Sequence, residues 1–103
     1  MDLTFIIPTR IETEDRLRNI ISSVSYLLRH LDAKVIVKEV SPENTFKFRA
    51  LPEIKKYVDI SNLTHLYEES QAPLFCKSKV LNDLIVAADT KFVANYDADC
   101  ILP

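Results

Sequence analysis

The sequence predicts an α/β fold, a three-layer α/β/α sandwich around a mostly parallel sheet. Three observations carry this. Short apolar runs with strand character alternate with stretches of helical periodicity along the whole chain. The first two strand-like runs, within residues 3–40, are joined by one long amphipathic helix, the arrangement of a βαβ unit. Such a unit implies parallel pairing and a right-handed crossover.

The first strand reads Leu3 to Pro8, Leu-Thr-Phe-Ile-Ile-Pro. A nearly continuous apolar run suits a strand buried on both faces. Proline cannot donate to the ladder, so the strand is expected to stop at Pro8, with Thr9 to Glu12 as a loop. Thr13 is placed to cap the helix that follows, and Glu14 and Asp15 put negative charge on its first turn. Leu17, Ile20, Ile21, Val24, Leu27, Leu28 and Leu31 form one helical stripe. Arg29 and His30 suit its negative pole, and His30 reads as a helix-end surface residue.

Ala33 to Val40 is the second strand, rich in β-branched residues, and Ser41 to Asn44 is a turn. Between Thr45 and Asn62 the pattern is weaker. Pro52 can open a short helix through Tyr57, with Leu51, Ile54 and Val58 as its apolar face. Leu63 to Glu68 is a third strand and Ser70 to Leu74 a loop. From about Cys76 to Ala88 a second strong helix is expected to turn Leu81, Leu84, Ile85 and Ala88 to the core, with Lys79, Asn82 and Val86 on another face. The last strand is Lys91 to Tyr96, followed by Asp97-Ala98-Asp99.

Composition narrows the function classes. With 48% hydrophobic and 27% charged residues, the 103-residue chain is too apolar to be disordered. It has no glycine, where average usage of ~7% gives about seven. That excludes the glycine-rich phosphate loop and the dinucleotide fingerprint, so phosphate binding would need other chemistry. Thirteen Lys and Arg against fifteen Asp and Glu give a net charge of -2, which argues against a nucleic-acid partner. No apolar run approaches the ~20 residues of a membrane helix, and Met1-Asp2-Leu3 does not open a signal peptide. Cys76 and Cys100 form no metal spacing and read as free thiols, so a cytoplasmic location is expected.

In parallel sheets, ligands bind outside the carboxyl ends of the strands. Three polar clusters fall at predicted strand ends: Thr9-Arg10, Glu39 with Ser41, and Asp97-Ala98-Asp99. In an extended chain the two aspartates point to the same side, roughly 7 Å apart. A hard divalent cation relieves their repulsion, and Mg²⁺ typically takes one or two carboxylates plus substrate phosphates. Bridging to a diphosphate, the cation would stabilise charge on a leaving nucleotide. The alternative is that Asp97-Ala98-Asp99 is an incidental turn, since aspartate is common after strands, in a non-catalytic α/β interaction module. Aspartyl phosphoryl transfer places such a motif after the first strand, which here ends in Pro8-Thr9-Arg10.

These residues resemble the family-two glycosyltransferases, whose domains open with an apolar strand ending in Ile-Pro, here Phe5-Ile6-Ile7-Pro8-Thr9-Arg10. The family pattern sets a basic residue shortly before an asparagine, then Ala at six, an aromatic at ten, and aspartates at fifteen and seventeen positions after it. Lys79, Asn82, Ala88, Phe92, Asp97 and Asp99 meet that register. The resemblance implies the nucleotide-binding N-terminal half of a GT-A domain over residues 1–103, a nucleotide-diphospho-sugar donor (a UDP-sugar first) and a divalent cation, Mn²⁺ or Mg²⁺. By the same resemblance Pro8, Thr9 and Arg10 would line the nucleotide pocket, Glu39 would contact base or ribose, and Lys79, with Lys77, would approach base or diphosphate. Asp97 would sit near ribose and metal, Asp99 would be the more direct metal ligand, and Asn82 would hold helix against loop.

The pattern is departed from at Lys38-Glu39-Val40-Ser41, where the family has Asp-Asp-Gly-Ser, at Leu81 in place of arginine, and at Leu84 in place of glycine. The family's acceptor half, with the carboxylate that deprotonates the acceptor hydroxyl, follows its Asp-x-Asp. The expectation is therefore a donor-binding half with no catalytic residue of its own, inactive in sugar transfer alone. An uncovered sheet edge and apolar surface would make it self-associate. Surface polysaccharide or glycoprotein synthesis is the family's usual setting.

Overall fold

A computed structural model describes residues 2–71 and 77–96, with side chains for all of these except 77 and 78. The order is β1 (Leu3–Thr9), α1 (Glu14–His30), β2 (Lys34–Ser41), a π-helical turn (Phe46–Ala50) running into α2 (Leu51–Tyr57), β3 (Leu63–Glu69), α3 (Lys77–Ala87) and β4 (Phe92–Asn95). The four strands form one all-parallel sheet in the order β3-β2-β1-β4. The fold is Rossmann-like α/β. None of the described helices is long and apolar enough to cross a membrane.

Topology decides where the helices lie. The path β1→β2→β3 steps outward in one direction, so crossovers of one hand put α1 and α2 on the same face. The connection from β3 to β4 steps back across β2 and β1, and its helix lies on the opposite face. The packing follows. Ile7, Val35 and Val37 meet Leu17, Ile20, Val24 and Leu27 of α1 together with Phe46, Ala50 and Ile54. Ile6, Ile36 and Val40 meet Val80 and Leu84 of α3. Consecutive pairs such as Ile6 and Ile7 serve different cores, as the two-residue period of a strand requires.

The start of α1 is as the sequence predicts, with Thr13 Oγ accepting from the Arg16 amide at 3.1 Å. Three details differ. β1 runs one residue past Pro8, because the amide that proline lacks faces β4, whose pairing ends at Asn95 opposite Ile6. Pairing with β2 continues on the other side to Thr9, opposite Glu39. Helical structure begins at Phe46 rather than near Pro52. In α3 the buried residues are Val80 and Leu84, whereas Ile85 is 52% exposed. The helix turns its Val80–Leu84 line to the sheet, with Leu81 and Ala88 at the margin.

Among the described residues β4 is an edge strand, paired with β1 alone. Phe92 and Val93 are substantially exposed, and so are Ile85 and Val86 on α3. Apolar side chains on both faces of an exposed edge strand are unusual in a protein that has no partner.

Candidate functional site

The strand order places the topological switch point between β1 and β4, since the chain leaves β1 toward β2 and returns to its other side at β4. Ligands of open α/β sheets bind in the crevice outside the carboxyl ends at such a point. β1 brings Pro8 and Thr9 there, both buried, and Arg10 follows directly. The Tyr96 amide donates to the Ile6 carbonyl at 3.0 Å, which carries β4 toward the same edge. Asp97 and Asp99 come next in the chain and lie outside the described residues, as do Cys76 and Cys100.

Arg10 is the least ordinary side chain of this edge. Only 5% of it is exposed. Its Nη2 donates to the Ser70 carbonyl at 3.2 Å, beyond the end of β3. Its Nε lies 3.5 Å from Glu12 Oε1, an ion-pair distance without hydrogen-bond alignment, and has no hydrogen-bond partner among the described residues. A buried donor left unpaired costs about 1–3 kcal/mol, so such groups call for a reason. A guanidinium with a spare N–H at a switch point is suited to an anion.

Glu39 sits at the end of β2 with no exposed surface. Its Oε1 accepts the Phe46 amide at 2.9 Å, and Oε2 lies 2.9 Å from Ser41 Oγ. Burial pushes its carboxyl above the usual range, against the lowering effect of the Phe46 amide, the Ser41 hydroxyl and the Thr45 amide. Both oxygens are thus engaged within the chain. Oε1 satisfies the orphan Phe46 amide at the start of the π-helical turn, beside the local cap in which Asn44 Oδ1 accepts the Lys47 amide at 3.3 Å.

Lys38, the next residue toward the amino end, projects to the α3 face. Its Nζ is 2.8 Å from Asp83 Oδ2 on α3 and 3.6 Å from Glu68 Oε1 on β3, with 12% of the side chain exposed. The hydrogen bond to Asp83 holds the ammonium above its ordinary value, and its counterpart holds Asp83 below its own. Lys79, 67% exposed, lies 4.0 Å from Glu68 Oε2 at the same edge. Sequence reasoning assigned Lys38 no role. A lysine inside the apolar run Val-Ile-Val-Lys was the available signal, because such a position needs a buried partner. Asn82 is exposed on α3, and the side chain of Lys77 is outside the description.

A groove of about 480 Å³ opens beyond the ends of β2 and β3 on the α1 side, bounded by Glu43, Asn44, Phe48, Tyr67 and Glu69 among others. The Tyr67 hydroxyl donates to the Ser41 carbonyl at 3.0 Å. Desolvation first, then the charges of Glu69, Glu39 and Glu43, push that hydroxyl's pKa up. The edge is therefore negative at β2–β3 and carries its buried cation at β1. Among the described residues no cluster of three or more His, Cys, Asp or Glu side chains could hold a metal ion.

Comparison with family models, curated proteins and solved structures gives no match for this chain.

Proposed function

We propose that this chain binds a nucleotide-diphospho-sugar together with a divalent cation, as the donor-binding part of a glycosyltransferase. The observation that carries the reading is the buried Arg10, whose Nε has no hydrogen-bond partner among the described residues, at the switch point beside the strand that leads into Asp97-Ala98-Asp99. Pro8 and Thr9 would shape the wall against the nucleoside, and Arg10 would meet negative charge on the diphosphate. Lys79, exposed and only loosely paired, would be a second cation for it. Asp97 and Asp99 would hold the Mn²⁺ or Mg²⁺, whose oxygen preference suits a carboxylate pair and diphosphate oxygens. That ion would supply charge stabilisation for the departing nucleotide. Glu39 would act on the pocket through the turn it holds, since both of its oxygens face the chain. This reading gives the chain the donor and assigns it no base for the acceptor hydroxyl.

A second reading rests on a different observation, the exposed Ile85, Val86, Phe92 and Val93 on α3 and β4. It makes the chain an α/β interaction module whose Asp-Ala-Asp is a turn. Calorimetric titration with UDP, with and without Mn²⁺, separates the two. Metal-dependent binding that is lost in Asp97→Ala and Asp99→Ala supports donor binding. No heat at millimolar UDP in the presence of Mn²⁺ sinks it in favour of the module.

A further inference from the structure

The carboxyl edge has a second recess, opposite in sign to the buried cation at β1. The groove of about 480 Å³ beyond β2 and β3 falls within the ~300–1,000 Å³ of small-ligand sites. Its charged walls are Glu43 in the turn after β2, Glu69 at the last position of β3, and Arg49. Arg49 is engaged elsewhere: its Nη1 and Nη2 lie 2.7 and 3.1 Å from the two carboxylate oxygens of Glu14, a bidentate pair. Glu43 and Glu69 have no cation paired with them among the described residues. The groove therefore keeps two uncompensated carboxylates. Ser41 and Glu69 are partners in the sheet, ~5 Å apart, and two further residues add at most ~7 Å, so Glu43 and Glu69 stand within about 12 Å of each other at Cα.

The apolar part of the wall is aromatic, Phe48 and Tyr67. Aromatic faces attract cations. Phe48 shows this within the chain: Lys47 Nζ, outside the walls of the groove, lies 5.5 Å from its ring centre, and the residue is still 71% exposed. The Tyr67 hydroxyl gives its proton to the Ser41 carbonyl at 3.0 Å, which leaves its oxygen as an acceptor. We propose that this groove binds a small aliphatic diamine, one ammonium at Glu43 and the other at Glu69, with the carbon chain against Phe48 and Tyr67.

Other ligand classes fit these walls less well. An anion would face two carboxylates, and an uncharged apolar molecule would desolvate them without compensation. A monoamine answers only one of them. A metal ion needs its ligands in a single shell, and no cluster of three or more His, Cys, Asp or Glu side chains exists among the described residues. A diamine meets both acids and covers the exposed ring with its methylenes. This inference goes beyond the donor reading and does not rest on it, because the diphosphate is placed at β1 and β4 and the diamine at β2 and β3.

The test is a titration with putrescine at constant ionic strength, followed through backbone amide shifts, with butylamine and butanediol as probes of one charge and none. No UDP or Mn²⁺ is present, so a failure of donor binding leaves the outcome readable. Shifts should concentrate on residues 43–49 and 67–70, putrescine should bind several-fold more tightly than butylamine, and butanediol should do nothing. Phe48→Ala removes an exposed ring and should weaken putrescine about threefold, the order of an exposed cation–ring contact. Glu43→Gln and Glu69→Gln should each weaken it by about the same factor, and together about tenfold. No shifts at tens of millimolar putrescine, shifts centred outside the groove, or an equal response to sodium chloride would overturn the site. Equal affinity for butylamine, or binding unchanged in the double glutamine variant and in Phe48→Ala, would overturn the diamine assignment. A basic peptide that fills the groove where putrescine does not would overturn it as well.

Discussion

Two phenylalanines two residues apart should respond to truncation in opposite ways. Phe46 has no exposed surface, sits in the core between α1 and the sheet, and stacks on His65 with ring centres 4.8 Å apart. Phe48, on the next turn of backbone, is 71% exposed. Removing a buried phenylalanine costs about 3–5 kcal/mol in transfer and cavity terms, a large part of the ~5–15 kcal/mol that holds a domain folded. At about 4–8 °C per kcal/mol for a domain near this size, Phe46→Ala should lower Tm by roughly 15–30 °C. Phe48→Ala should stay within about 0.5 kcal/mol of the wild type. Urea unfolding followed by circular dichroism, with thermal melts at one fixed pH, reads both. The pair matters because the π-helical turn sets which ring enters the core. Equal losses from the two variants, or a larger loss from Phe48→Ala, would refute the placement of this segment.

The helix cap offers a smaller effect: Thr13→Ala removes the oxygen that accepts the Arg16 amide and should cost about 1 kcal/mol by urea unfolding, with no change in ligand binding. His65 is held below its ordinary 6.5 by burial and then by the charge of Lys47, so its contribution to stability is present above about pH 6.5 and is lost as pH falls through the folded value. Tm measured between pH 7 and 5 should therefore decline less in His65→Phe than in the wild type. The exposed apolar edge should make the wild type associate, so sedimentation at rising concentration should show growth in mass that Val86→Glu with Phe92→Lys abolishes; a wild type that sediments as a monomer throughout contradicts this.

The parts of the fold that the sequence made legible are those in which one element carries its own signal. The stripe from Leu17 to Leu31 announces α1, and Thr13, Glu14 and Asp15 mark its start within the same few residues. The β-branched runs of β1 and β2 needed no context because both of their faces are buried. The start of the second helical block was hidden for the opposite reason. The Phe46 amide is met by Glu39, seven residues earlier on a strand, and a cap supplied across a fold leaves no mark at N-cap spacing. Asn44 Oδ1, which accepts from Lys47 three residues on at 3.3 Å, is a cap at that spacing, and reading Ser41 to Asn44 as a turn passed it over. Which of Val80 and Ile85 enters the core was likewise invisible in α3, where apolar residues surround the helix and only the tilt against Ile6 and Ile36 decides.

The same contrast holds at the site. That strand ends would gather polar groups at one edge followed from parallel pairing, and Thr9, Arg10, Glu39 and Ser41 lie there. Their division of labour was not legible. Glu39 looked like a ligand contact because strand position alone cannot say whether a carboxylate meets solvent or a buried amide. Lys38 was assigned no role, because its partners Asp83 and Glu68 are distant in sequence and meet it only in the fold.

The central claim is that a nucleotide diphosphate and a divalent cation meet where β1 and β4 end. Paramagnetic broadening of the backbone amides by Mn²⁺, recorded with and without UDP, tests it most directly. Broadening should concentrate on residues 9–12 and 96–99, should require UDP for its full strength, and should vanish in Asp99→Ala. Broadening centred on the opposite end of the sheet, around Lys34 and Asn62, or unchanged by UDP and by Asp99→Ala, would contradict the account.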